Sequence, residues 1–228
     1  SGRIVGGEAL SRWNHPRKGL LNPDDFVPLM ERERMISRLD YYCLNEVCEF
    51  LEWLTKNGVD RFFVSCNFSR DTLAESDFAE RLKNILDRYD FPRELLIVEI
   101  TESIETKDVI QMQNNIAALK ECGVGVTLDD FGKGFTSFFD LQKYTVDGVK
   151  VDKELVDHIF TQRGSTILRS MIQVGHELQM TILAEGVETK EQAETLRSMG
   201  CDVIQGYYFY MPLPDWEAKR KILQQFSA

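Results

Sequence analysis

The sequence predicts an α/β protein of the TIM-like (β/α)8 barrel class, with the first of the eight strands missing from the chain. Two observations predict it. Short β-rich runs alternate with longer amphipathic stretches along all 228 residues. Almost every run also ends on a polar side chain, the pattern expected where strand ends converge on one face of a barrel.

The strand candidates, in order, are Ile4–Leu10, Phe62–Asn67, Leu95–Ile100, Val124–Leu128, Val146–Val151, Met180–Ala184 and Asp202–Gln205. Helical periodicity marks Leu44–Lys56, Phe78–Tyr89, Val109–Glu121, Ile167–Gln179 and Lys190–Met199. Gly58, Gly123 and Gly200 stand where C-terminal caps are expected, and Thr189 with Glu191 and Gln192 reads as a helix start. Strands that are nearly continuous in apolar residues and alternate with helices imply a parallel sheet covered by helices. Seven strands leave a barrel one short, and Ser1-Gly2-Arg3 reads as the turn after the absent one. An open doubly wound sheet is the competing architecture, although no G-x-G-x-x-G follows a first strand.

Composition narrows the function classes. The chain is 43% hydrophobic and 28% charged, as globular domains are, and residues 1–228 read as a single domain of a longer multidomain protein. No apolar run approaches the roughly 20 residues of a membrane span. The domain is therefore expected in the cytoplasm, with membrane anchoring left to the parent protein. A formal net charge of -10 repels polyanions, so a nucleic-acid polymer is not an expected partner. The five cysteines are scattered, form no C-x-x-C pair and read as core thiols. His15, His158 and His176 read as ordinary polar residues.

The strand-end residues are Glu8, Asn67, Glu99, Asp129 with Asp130, Lys150, Glu185 and Gln205. Clustered carboxylates repel one another unless cations neutralise them. Carboxylates and an amide carbonyl are hard oxygen ligands, suited to Mg²⁺ or Mn²⁺ and not to a histidine-rich zinc site. The adjacent pair Asp129-Asp130 offers one ligand to each of two metals, which in such sites lie roughly 3.5–4 Å apart. A lysine ending an apolar strand, as Lys150 does, is costly to bury without a function.

These residues lie in stretches that resemble the EAL domain family of cyclic di-GMP phosphodiesterases. Glu8-Ala9-Leu10 resembles the motif that names the family, and Ser65-Cys66-Asn67-Phe68-Ser69 resembles its S-x-N-L-S. Glu99-Ile100-Thr101-Glu102-Ser103, Asp129-Asp130-Phe131-Gly132 and Lys150-Val151-Asp152 match E-I-T-E-S, D-D-F-G and K-x-D. Ala184-Glu185-Gly186-Val187-Glu188-Thr189 and Gln205-Gly206-Tyr207 match A-E-G-V-E-T and Q-G-Y. All seven occur in order from about residue 5 to Pro214.

The resemblance implies a metal-dependent hydrolysis of cyclic di-GMP to linear pGpG. Glu8, Asn67, Glu99 and Asp129 would hold one metal, and Asp129 with Asp130 the second. Glu185 would be the general base, or organise the nucleophilic water together with Lys150. Arg12 would grip a substrate phosphate, with Leu10 close by and Gln205 in an outer contact. Glu188 would support the metal's water shell, and Glu102 would anchor the loop after Asp130. A homodimer and an upstream GGDEF or sensory domain are further implied partners. Where the family loop reads D-F-G-T-G-Y-S-S, this chain has Lys133 between Gly132 and Gly134, a change that bears on dimer contacts more than on chemistry. The family's first strand, usually carrying Q-P, is absent. Three other readings stay open: a catalytically inactive cyclic di-GMP sensor, an interaction domain with a vestigial site, and a barrel phosphohydrolase acting on another substrate.

Overall fold

The computed structural model describes residues 3–101, 109–132 and 145–226. Nine strands are found among them: β1 Gly6–Ala9, β2 Trp13–His15, β3 Gly19–Leu21, β4 Phe63–Phe68, β5 Leu96–Thr101, β6 Gly125–Phe131, β7 Gly148–Val151, β8 Thr181–Ala184 and β9 Val203–Ile204. Seven form one sheet in the order β1-β4-β5-β6-β7-β8-β9, while β2 and β3 pair as an antiparallel hairpin. The sheet strands are parallel and succeed one another in chain order, with helices between them, which is the TIM-like α/β class that the sequence predicts. Each predicted strand corresponds to one of the seven, with its ends shifted by at most three residues.

The chain divides into two compact units, one comprising the stretch up to Glu99, a segment ending at Gly125 and the stretch from Pro214, the other chiefly Val126–Leu213. In the first, the helix Ile36–Lys56 buries Leu44, Leu51 and Leu54 completely, three positions on one 3.6-residue stripe. Phe68 of β4 meets Tyr41 and Phe78 edge-on, at ring separations of 6.1 and 5.9 Å. In the second unit, all four residues of β7 are buried, and the helix Gln162–Glu177 covers β8 with Leu168, Met171 and Ile172.

The capping signals hold. Gly58, Gly123 and Gly200 adopt φ of 80, 81 and 90°. Thr189 and Gln192 form a reciprocal capping box on the helix Lys190–Met199. The helix Phe78–Leu86 stops short of the predicted Tyr89 because the Arg93 guanidinium donates to the carbonyls of Leu86 and Tyr89, taking over acceptors that another turn would use. Helices Pro23–Arg32 and Asp215–Phe226 and the β2–β3 hairpin were not predicted.

Among the described residues no helix is long and apolar enough to cross a membrane. The three histidines have polar partners: His15 Nδ1 accepts from the amides of Arg17 and Lys18, His158 meets the Glu154 carbonyl, and His176 pairs with Asp202. The five cysteines are free thiols. Burial pushes Cys43 up to about 11 and Cys48 and Cys201 up to about 12, and Cys66 rises well above the ordinary thiol range. The thiolate is the reactive form, so these groups should react with Ellman's reagent at pH 8 far more slowly in the native protein than in denaturant. Rapid native labelling of Cys48 or Cys66 would contradict their burial.

Candidate active site

Every strand-end residue named from the sequence lies in the C-terminal half of its strand or one residue past it. Glu8 is the third of four residues in β1, Asn67 the fifth of six in β4, and Glu99 the fourth of six in β5. Asp129 and Asp130 sit near the end of β6, Lys150 is next to last in β7, and Glu185 and Gln205 follow β8 and β9 directly.

Within the first unit, β1 and β4 run parallel with Glu8 opposite Ser65. The Asn67 amide donates to Glu8 Oε1 at 2.9 Å, which turns the amide nitrogen toward the carboxylate and away from any cation. Glu99 is a buried carboxylate, 2% exposed. Past β1, Leu10 and Arg12 are exposed, and the Arg12 guanidinium donates to the neighbouring Ser11 carbonyl at 2.8 Å.

The second unit holds the denser constellation. Carboxylate oxygens of Asp129, Asp130 and Glu185 all lie within 4.8 Å of one another. On a regular strand, side chains i and i+1 point to opposite faces, so adjacent aspartates would not meet. Here the β6–β7 register slips between Leu128 and Phe131, and Asp130 takes φ 56°. A bulge of this kind re-aims side chains at a strand end. Its left-handed residue is among the few types that tolerate that conformation, at a cost of about 1–3 kcal/mol. The Asp130 amide donates to Asp129 Oδ1 at 2.8 Å, fixing the turn. The bulge thus explains why the sequence needs both aspartates in tandem.

Lys150 is 1% exposed, and its Nζ lies 3.1 Å from Asp129 Oδ1 and 3.5 Å from Glu185 Oε2. Parallel pairing sets this up: Lys150 stands opposite Leu183, and the Glu185 amide extends the ladder to the Val151 carbonyl. The chain then turns at Gly186, φ 66°, where a side chain would collide with the stem of Lys153. Lys153 in turn reaches Glu188 and Asp157, each at 3.0 Å. Glu188 is half exposed and paired to Lys153, and its amide donates to Gln192 Oε1 ahead of the helix cap. Gln205 donates its amide to the Ala184 carbonyl and accepts from Val187. Glu102 and Lys133 lie outside the described residues.

Two contributors escaped the sequence reading. Lys153 gave no signal beyond its place after the K-x-D stretch. Asp40, buried on the helix Ile36–Lys56, did give one: it interrupts an apolar stripe at the spacing of Ile36 and Leu44.

The donor set is all oxygen, three carboxylates beside one ammonium, and it fits a hard divalent cation. Within the second unit this is a group of carboxylates close enough together to hold a metal ion. A model of the EAL domain matches residues 1–212, and the chain belongs to the EAL domain family. It is 36% identical over 216 residues to the oxygen sensor protein DosP of Escherichia coli, across 94% of this chain and 27% of that protein. It is 35% identical over 208 residues to the cyclic di-GMP phosphodiesterase NbdA of Pseudomonas aeruginosa, across 91% of this chain and 27% of that one. The chain thus spans about a quarter of the length of these relatives. Among solved structures, the PaMucR phosphodiesterase in complex with c-di-GMP is similar at TM-score 0.87 and 30% identity, with 94% of this chain and 87% of that chain covered.

Proposed function

We propose that this chain is the phosphodiesterase domain of a longer cytoplasmic protein and that it hydrolyses cyclic di-GMP to linear pGpG with the help of Mg²⁺ or Mn²⁺. The observation that carries this reading is the trio Asp129, Asp130 and Glu185, with Lys150 buried beside two of them. Lys150 offsets one of three crowded negative charges, and divalent cations would offset the rest. Kinship with NbdA and PaMucR supports the choice of substrate.

In this assignment Asp129 and Asp130 would hold a divalent cation, and the family resemblance adds Glu8, Asn67 and Glu99 as metal ligands. When bound, the metal supplies Lewis-acid stabilisation of the charge developing on the phosphoryl oxygens. Glu185 accepts the proton of the attacking water. Lys150, with its Nζ 3.1 Å from Asp129 Oδ1 and 3.5 Å from Glu185 Oε2, orients the Glu185 carboxylate. Arg12 is exposed and able to swing from the Ser11 carbonyl onto a substrate phosphate, with Leu10 against the ligand. The water oxygen bonds to phosphorus, the bond from phosphorus to a 3′ oxygen breaks, and that oxygen takes a proton from solvent while Glu185 returns its own to solvent. Gln205 would make an outer contact to the substrate, Glu188 would support the metal's water shell and Glu102 would anchor the loop after Asp130; a homodimer is the proposed assembly.

A sensor that binds without cutting would be expected to have lost a ligand or the base, and every such position here is filled. Hydrolysis assays decide between the two. Activity should require Mg²⁺ or Mn²⁺ and vanish reversibly on chelation. Ca²⁺, which prefers longer bonds and more ligands, should bind yet support turnover poorly. Full activity after exhaustive chelation would contradict the metal assignment.

A further inference from the structure

Asn67 stands one residue before the end of β4, between the buried Cys66 and Phe68. Strand alternation fixes the face on which it lies, but its aim depends on how the chain leaves the strand. That exit is built from a short helix, Arg70–Leu73, too brief to hold its own direction. Asp40 holds it instead. Its Oδ2 accepts from the Ser69 amide at 2.9 Å and from the Thr72 hydroxyl at 2.5 Å. Ser69 Oγ and Thr72 Oγ1 are 2.8 Å apart, and the Thr72 amide donates to Ser69 Oγ at 3.2 Å. Asp40 is 5% and Thr72 0% exposed, so water cannot substitute for the carboxylate. Next to Asp40, Tyr41 packs its ring against Phe68, so one turn of the long helix grips both residues that follow Asn67.

A carboxylate at this place is not what packing alone would select. The stripe around it is apolar, and burying an acid is unfavourable unless its hydrogen bonds are made. Burial raises the Asp40 carboxyl above the ordinary carboxylate range, and the hydrogen bonds from Thr72 and Ser69 oppose that rise.

We propose that Asp40 is a positioning residue for the cation site: through Ser69 and Thr72 it fixes the exit of β4, and so the aim of the Asn67 side chain, without touching metal or substrate. The proposal rests on the assignment of Asn67 as a ligand given above. Glu8 already engages the Asn67 amide nitrogen, so the exit of the strand is the remaining control on where its carbonyl oxygen points.

The test is Mn²⁺ binding to the protein, followed by electron paramagnetic resonance of the free ion, with circular dichroism and the thermal midpoint recorded for each variant. Asp40→Asn keeps an acceptor oxygen for both donors and should bind Mn²⁺ within about 3-fold of the parent, whereas Asp40→Leu should weaken binding roughly 10-fold, the low end for residues that orient ligands. In hydrolysis at saturating Mn²⁺, KM for cyclic di-GMP should be unchanged in both. If Asp40→Leu does not fold, Thr72→Val removes one of the two bonds at nearly constant volume, and a roughly 3-fold loss is expected. A folded Asp40→Leu, or Thr72→Val in its place, that binds Mn²⁺ as the parent does would overturn the proposal alone. A parent protein that binds no Mn²⁺ would overturn the metal assignment and this inference with it.

Discussion

Replacing Glu185 by Gln should lower the rate of cyclic di-GMP hydrolysis by roughly 10²–10⁴-fold, the usual loss when a general base is removed. The amide keeps the shape of the side chain and can still face Lys150, now 3.5 Å from the carboxylate, but it cannot take a proton. The proposed phosphate contact, Arg12, is untouched, so the dissociation constant for the substrate should stay within a few-fold. Stopped-flow turnover and equilibrium dialysis with the same protein separate the two quantities. Turnover within a few-fold of the parent would assign Glu185 another task.

The second large effect is expected at Lys150. Removing one member of a buried ion pair strands the other, a loss of roughly 3–5 kcal/mol. Asp129 and Glu185 are 14% and 22% exposed, so Lys150→Met should fall near the low end, about 3 kcal/mol. For a domain of this size that is a drop of roughly 6–12 °C in the melting temperature. The deficit should shrink when Mg²⁺ is added, because a cation at the same carboxylates replaces the missing positive charge. Urea unfolding with and without Mg²⁺ measures both effects. A deficit that ignores Mg²⁺ would mean that the cation and Lys150 act on different groups.

Much of this was legible in the sequence for one reason: a parallel strand buried on both faces has few polar residues, so one at its end stands out. Lys150 is the clear case, next to last in a strand whose four residues are all buried, and Glu99 and Glu185 likewise follow apolar residues. The arrangement of Asp129 and Asp130 was not legible. Strand alternation places them on opposite faces, and only the slip in register and the left-handed Asp130 bring their carboxylates together. The start of the helix at Ile36 was missed because Asp40 and the exposed Tyr42 blur its apolar stripe. The β2–β3 hairpin has three residues a side, too few for a period of two to declare itself. Asp40 interrupts the helix stripe visibly, but what it holds was hidden for a different reason. Its partners Ser69 and Thr72 are 29 and 32 residues away, and no local pattern reports a bond of that reach.

The central claim is that the chain breaks a phosphodiester bond with water. It is tested most directly by incubating the protein with cyclic di-GMP and Mn²⁺ in ¹⁸O-labelled water and weighing the product by mass spectrometry. The account predicts linear pGpG carrying one labelled oxygen in its terminal phosphate, formed in the parent protein and nearly absent with Glu185→Gln. Recovery of bound but intact, unlabelled cyclic di-GMP from the metal-loaded parent would contradict it and leave a sensor in its place.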